Sequence, residues 1–201
     1  LESRQLLATI TCDGGGDGTT LTQATNWSGD VLPGASDDAV INVAGTPTIA
    51  ISSGTFSVNS LDCAETFNMT GGTITVAAAS TFSGALGLGG GTVNGAGNIA
   101  VTSTMNWSGG QIGGTGTLNF GGSSTITLAG GTLGFNRNIN NAGTVNWTSG
   151  NLGGFSGPGT TFTNNGTFNA DPSGNNFWSG NSTDNTFVNA GTFNKGTNVT
   201  I

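Results

Sequence analysis

The sequence predicts an all-β chain wound as a single parallel β-solenoid of about seven coils, each roughly 19–21 residues long. Three observations lead there. A glycine-led motif recurs at nearly constant spacing, several apolar columns keep step with it, and the residues between glycines alternate apolar and polar.

The motif starts as Gly71-Gly72-Thr73-Ile74 and returns as Gly90-Gly91-Thr92-Val93, Gly109-Gly110-Gln111-Ile112, Gly130-Gly131-Thr132-Leu133 and Ser149-Gly150-Asn151-Leu152. Its apolar members, Ile74, Val93, Ile112, Leu133 and Leu152, are evenly spaced, with a slightly longer step between Ile112 and Leu133. Two further columns keep the same step: Met69, Leu88, Trp107, Leu128 and Trp147, and Phe67, Leu86, Met105, Ile126 and Val145. A fourth runs through Ile99, Leu118, Ile139 and Phe162. Triplets such as Met105-Asn106-Trp107 and Val145-Asn146-Trp147 have the period of two that marks a strand with one buried face. Glycine every few residues leaves no room for a helix. An antiparallel sandwich would explain short strands, but not a constant step.

One coil cannot bury its own apolar side. Stacked coils can, each strand bonding to its copies above and below at about 4.8 Å, so seven coils from Ser36 onward make a rod about 34 Å tall. Asn, Gln and Thr fall into outward columns, through Asn68, Asn106, Thr127 and Asn146 and through Thr73, Thr92, Gln111, Thr132 and Asn151.

The ends depart from the repeat. Residues 1–35 are polar and acidic and read as an N-terminal cap, with residues 36–201 as the solenoid. Residues 170–185 insert extra length, since Phe162 and Phe187 stand further apart than one coil elsewhere. The chain begins without Met and stops at Val199-Thr200-Ile201 without a cap, so it reads as a piece of a longer chain with further coils or another domain beyond it.

Charge narrows the functions. Only 6% of residues are charged and the formal net charge is −7. Three basic residues build no footprint for nucleic acid. No apolar run is long enough to span a membrane as a helix. From Thr66 to Ala170 there is no acidic residue, and Arg137 is the only charge.

Cys12 and Cys63 allow one disulfide, which would staple the cap to a coil of an exported protein. Asp13, Asp17, Asp30, Asp37 and Asp38 offer oxygen ligands for a hard cation such as calcium; the alternative is that they cap local turns. Gly14-Gly15-Gly16-Asp17-Gly18 is not a phosphate loop, because no Lys follows it. Asn-x-Ser/Thr triplets, as at Asn106 and Asn146, follow from an Asn/Thr-rich repeat.

Two groups of residues suggest contact with sugars. Trp107 and Trp147 lie two coils apart, about 9.6 Å, near a disaccharide repeat; the alternative is core packing in phase with Leu88 and Leu128. Trp178 follows an Asn-rich insertion and, with Asp171, Asn175, Asn176 and Asp184, forms a candidate carbohydrate patch; the alternative is a plug for the last coil.

The chain also resembles a known family. Asp13-Gly14-Gly15-Gly16-Asp17-Gly18, Asn26-Trp27-Ser28-Gly29-Asp30, Leu32-Pro33-Gly34 and Asp37-Asp38-Ala39-Val40-Ile41 are similar to the opening of large bacterial extracellular β-helix proteins. Asn141-Ala142-Gly143-Thr144-Val145 and Asn165-Gly166-Thr167-Phe168 resemble coils of filamentous-haemagglutinin-like and autotransporter-like adhesins. The resemblance implies a right-handed parallel β-helix, secreted or displayed at the cell surface, serving in adhesion or contact with a polysaccharide or host glycan.

Three functions compete on this fold. A polysaccharide lyase or hydrolase needs a base or paired carboxylates; the chain has no His or Tyr, and the plausible pairs are Asp37–Asp38 and Asp171–Asp184. An ice-binding solenoid needs a regular Thr array. A non-catalytic adhesion or polysaccharide-binding module needs only a rigid rod with uncharged hydrogen-bonding faces, and that is the expected function.

Overall fold

The computed structural model describes residues 8–154, 159–172 and 185–196. It is a three-sided parallel β-solenoid of about seven turns. The first sheet has nine strands: Thr9–Cys12, Asp38–Ile41, Ser60–Cys63, Ser80–Phe82, Ile99–Val101, Leu118–Phe120, Ile139–Asn141, Thr161–Asn164 and Thr186–Asn189. The second has eight: Thr48–Ile51, Thr66–Met69, Leu86–Leu88, Thr104–Trp107, Thr125–Leu128, Thr144–Trp147, Thr167–Ala170 and Thr192–Lys195. The third has six: Thr55–Val58, Thr73–Val76, Thr92–Asn94, Gln111–Ile112, Thr132–Phe135 and Asn151–Gly154. From Asp38 to Gly154 the chain visits the sheets in turn, and each strand pairs with the strand one coil away.

Period-two alternation sends one set of side chains into the prism. Met69, Leu88, Trp107, Leu128 and Trp147 stack in register, as do Phe67, Leu86, Met105, Ile126 and Val145, and Ile99, Leu118, Ile139 and Phe162. All are buried. The column begun by Ile74, Val93 and Ile112 departs from expectation. Ile112 pairs with Phe135, not Leu133, and Leu133 pairs with Leu152. The coil between them is longer, and Gly134 faces Gln111. The third sheet thus shifts its register by an even step and keeps its inward phase.

Coils lengthen along the rod. In the second sheet Ile49 pairs with Phe67 and Phe67 with Leu86, but further along, over longer coils, Val145 pairs with Phe168 and Phe168 with Phe193. The strands keep their length, so the added chain goes into the connections. Glycines make the close corners possible. At Gly95, with φ +111°, a Cβ would run into the carbonyl of Val76 in the coil below.

The first strand, Thr9–Cys12, already belongs to the parallel ladder, pairing with Asp38–Ile41. The segment after it folds over the first coil. Thr20 bridges to Ala50, and the fully buried Trp27 stacks on Phe56 with ring centroids 5.4 Å apart. The indole Nε1 donates to the Leu21 carbonyl at 2.9 Å.

The expected disulfide is not formed: Cys12 and Cys63 are both free and buried. Cys12 pairs with Ile41, and Ile41 pairs with Cys63. The two cysteines are therefore two rungs apart in one column, about 9.6 Å. A disulfide bridges Cα atoms no more than about 7 Å apart.

Burial pushes the Cys63 thiol up to about 12 and raises that of Cys12. In the unfolded chain a thiol ionises near 9.0. Above that pH the unfolded state binds fewer protons than the folded one, so stability falls as pH rises, with a slope that approaches about 1.4 kcal/mol per pH unit for Cys63 and a contribution of the same sign from Cys12. Burial lowers Arg137 from 12.5 to about 10, and its effect above that point has the opposite sign. The thiol effect is thus cleanest between about pH 9 and 10. Urea unfolding across this window should show the decline in the native chain and a shallower one in Cys63→Ala; equal slopes would rule out the thiol as its source.

Candidate functional site

Several residues expected to bind ligand are committed to the fold. Trp107 and Trp147 point inward and are each 1% exposed, so neither offers a face to a sugar. The Nε1 of Trp147 donates to the Gly150 carbonyl at 2.9 Å, while that of Trp107 is buried without an acceptor. The core-packing alternative holds for both. Asp171 is exposed at the end of a strand of the second sheet. Trp178, Asn175, Asn176 and Asp184 lie outside the described residues.

The five N-terminal aspartates do not form a cation site. Asp13 accepts from the Gly15 amide at 3.0 Å, and Asp37 from the Gly34 amide at 2.9 Å. Asp17 accepts from the amides of Thr19 and Thr20, the Thr20 hydroxyl and the Asn26 carboxamide. These bonds, the Thr20 hydroxyl first, hold its carboxyl well below the usual carboxylate range. Asp38 accepts from Ser60 Oγ at 2.6 Å and Asn59 Nδ2 at 2.7 Å, and is lowered for the same reason. Asp30 sits in a tight turn with φ 57°. Among the described residues no three His, Cys, Asp or Glu side chains converge. Asp17 and Asp38 each accept from several of the protein's own donors, Asp17 through both oxygens and Asp38 through Oδ1, as the turn-capping alternative expects.

The outer surface is a different matter, and the second sheet is its most regular part. Thr48 pairs with Thr66, and Thr104, Thr125, Thr144, Thr167 and Thr192 pair in succession. Ala85 takes the one remaining place in this column. On the same face of each strand runs a second outward column: Ala50, Asn68, Gly87, Asn106, Thr127, Asn146, Asn169 and Asn194. None of these sixteen positions carries a charge. The Thr row is absent from the sequence reading, which follows the Asn column and a Thr/Asn column on the third sheet. Its signal is present in Thr66-Phe67-Asn68, Thr104-Met105-Asn106 and Thr167-Phe168-Asn169.

The Asn column is stiff at one end and open at the other. Asn169 donates to Asn146 and Asn194 donates to Asn169, each at 2.8 Å. Gly87 interrupts the same ladder between Asn68 and Asn106, and neither of those amides has a hydrogen-bond partner among the described residues. The seven Thr hydroxyls of the first column have none there either. Where Ala85 and Gly87 replace Thr and Asn, the face sinks into a groove of about 280 Å³ bordered by Thr66, Asn68, Thr104, Asn106, Thr125 and Thr127. By contrast, the enclosed cavity in the core is wholly apolar and only about 20 Å³, room for a single water and too small for a ligand.

No family model, curated protein or solved structure matches the chain. The functional evidence is therefore the groove and the face around it. No residue bordering the groove titrates, so it holds neither a general acid nor a base. It offers hydroxyls and amides that can donate and accept.

Proposed function

We propose that the chain is a non-catalytic, exported module that binds an uncharged polysaccharide through the outer face of its second sheet. One observation carries this reading: a face of sixteen uncharged positions whose unpartnered hydroxyls and amides gather around the groove at Gly87. A neutral glycan presents the complementary set, hydroxyls that both donate and accept, and loses little by leaving water for such a face. The rigid stack beneath holds the groups in place before contact, which lowers the entropic cost of binding. The module adheres rather than cuts, because none of the groups at the groove can move a proton.

The test replaces hydroxyls without changing shape. Thr66, Thr104 and Thr125 are substituted together by Val, which suits a strand and keeps the side-chain outline. Affinity electrophoresis in neutral polysaccharides should show retardation of the native chain and its loss in the triple variant, with the thermal midpoint little changed. Equal retardation of the two would overturn the reading.

The Thr row also favours a second reading, an ice-binding face, since hydroxyls recur on most rungs at about 4.8 Å. The gap at Ala85 and Gly87 breaks that array in its middle. Thermal hysteresis in the native chain would favour ice, and its absence together with glycan retardation would favour the polysaccharide.

A further inference from the structure

The chain contains two Asn-Gly dipeptides, Asn94-Gly95 and Asn165-Gly166, and the fold treats them differently. Both asparagines are exposed. The amide of Gly166 donates to the Asn141 carbonyl of the coil below at 3.0 Å, as part of the regular stacking. The amide of Gly95 makes no such bond to a neighbouring coil among the described residues. Its hydrogen-bond partner is the side chain of the residue before it, Asn94 Oδ1, at 2.8 Å. That contact holds the carboxamide carbon of Asn94 beside the one peptide nitrogen able to attack it.

We propose that Asn94 is a site of spontaneous deamidation, set apart from Asn165 by this geometry. The Gly95 nitrogen gives its proton to solvent base and attacks Cγ of Asn94. The new C–N bond closes a five-membered succinimide, the bond from Cγ to the side-chain nitrogen breaks, and ammonia leaves with a proton. Water then opens the ring at either carbonyl, giving Asp at 94 or its isomer linked through the β-carbon. The balance is one water consumed and one ammonia released, with no change of oxidation state. At Asn165 the same closure first requires the Gly166 amide to leave the stack.

The place of the new charge matters. From Thr66 to Ala170 the only ionised side chain is Arg137, and its Nη2 donates to the carbonyl of Gly95 at 2.8 Å. Deamidation sets a carboxylate on the residue next to the carbonyl that this buried cation holds. The modification thus adds an anion to a neutral stretch of the rod, beside its one cation.

The folded chain, aged in mildly alkaline buffer and mapped by peptide mass spectrometry with isoaspartyl methylation, should accumulate product at Asn94 about tenfold or more faster than at Asn165, a modest value for the effect of orientation on an intramolecular attack. In denaturant the two rates should converge, because both dipeptides are then equally free. Equal rates in the folded chain, or faster conversion at Asn165, would overturn the proposal. An Asn94→Ser variant should lose the signal at 94 and leave that at 165 unchanged; a persisting signal at 94 would show that the product comes from elsewhere.

Discussion

Truncation of Arg137 to Ala should cost about 2–6 kcal/mol of folding free energy, the sum for two carbonyls left without donors. Its guanidinium is buried and ties three successive coils together at one corner. Nε donates to the Gly113 carbonyl at 2.7 Å, Nη1 to Gly97 at 3.3 Å and Nη2 to Gly95 at 2.8 Å. No acidic residue lies between 66 and 170, so carbonyl dipoles hold the charge. Burial lowers its pKa only to about 10, which leaves it cationic at neutral pH. In the Ala variant the carbonyls of Gly97 and Gly113 lose their donors, at about 1–3 kcal/mol for each unsatisfied group, and the long side chain leaves a void. Lys keeps the charge but lacks the fork, so Arg137→Lys should fall between the native chain and the Ala variant. Urea unfolding at neutral pH measures all three. A loss below about 1 kcal/mol in the Ala variant would mean that the guanidinium does not tie the coils.

Asn164→Ala should cost about 3 kcal/mol, and Asn169→Ala no more than about 1 kcal/mol, although both residues belong to amide ladders. Asn164 is fully buried at a corner. It accepts from Asn141 Nδ2 at 2.7 Å and donates to Asn189 Oδ1 at 2.7 Å and to the Thr192 carbonyl at 2.9 Å. Removing its carboxamide takes the acceptor from an N–H of Asn141, which is fully buried where water cannot replace it, while the groups of Asn189 and Thr192 on the next coil are exposed to water. Asn169 makes the same kind of bonds to Asn146 and Asn194, but on the outer face, where water can substitute. Thermal or urea unfolding of the two variants side by side decides the matter. Comparable losses would mean that burial does not set the strength of these ladders.

Sequence reading succeeds here where the physics repeats and fails where it acts once. Three apolar columns are legible to the residue, because burying one face of every coil forces the same phase on each strand. The column through Ile112 goes wrong at a single place, where a longer coil moves Phe135 into the position expected for Leu133. A longer step cannot say where its extra residues sit. Redox logic joins Cys12 to Cys63 because it carries no distance; the rung occupied by Ile41 keeps them apart. Arg137 stands out as a lone charge, yet a residue without counterparts in other coils leaves no period to read. For Trp107 and Trp147 the shared phase with Leu88 and Leu128 is the better guide, and it points inward. The candidate site is half legible: an uncharged polar surface follows from composition, while the groove depends on which columns Ala85 and Gly87 interrupt.

One inward column of the first sheet changes character along the rod. Val101, Phe120, Asn141, Asn164 and Asn189 occupy equivalent rungs. The column passes from hydrocarbon to amide between Phe120 and Asn141. A rod of near-identical turns can mispair by one whole turn during folding and still satisfy most of its ladder. Here such a slip would set a carboxamide into a slot shaped for a phenyl ring, or a phenyl ring against a row of amides. The boundary thus serves as a registration mark: it gives each turn an address, so that turns which look interchangeable cannot trade places without penalty.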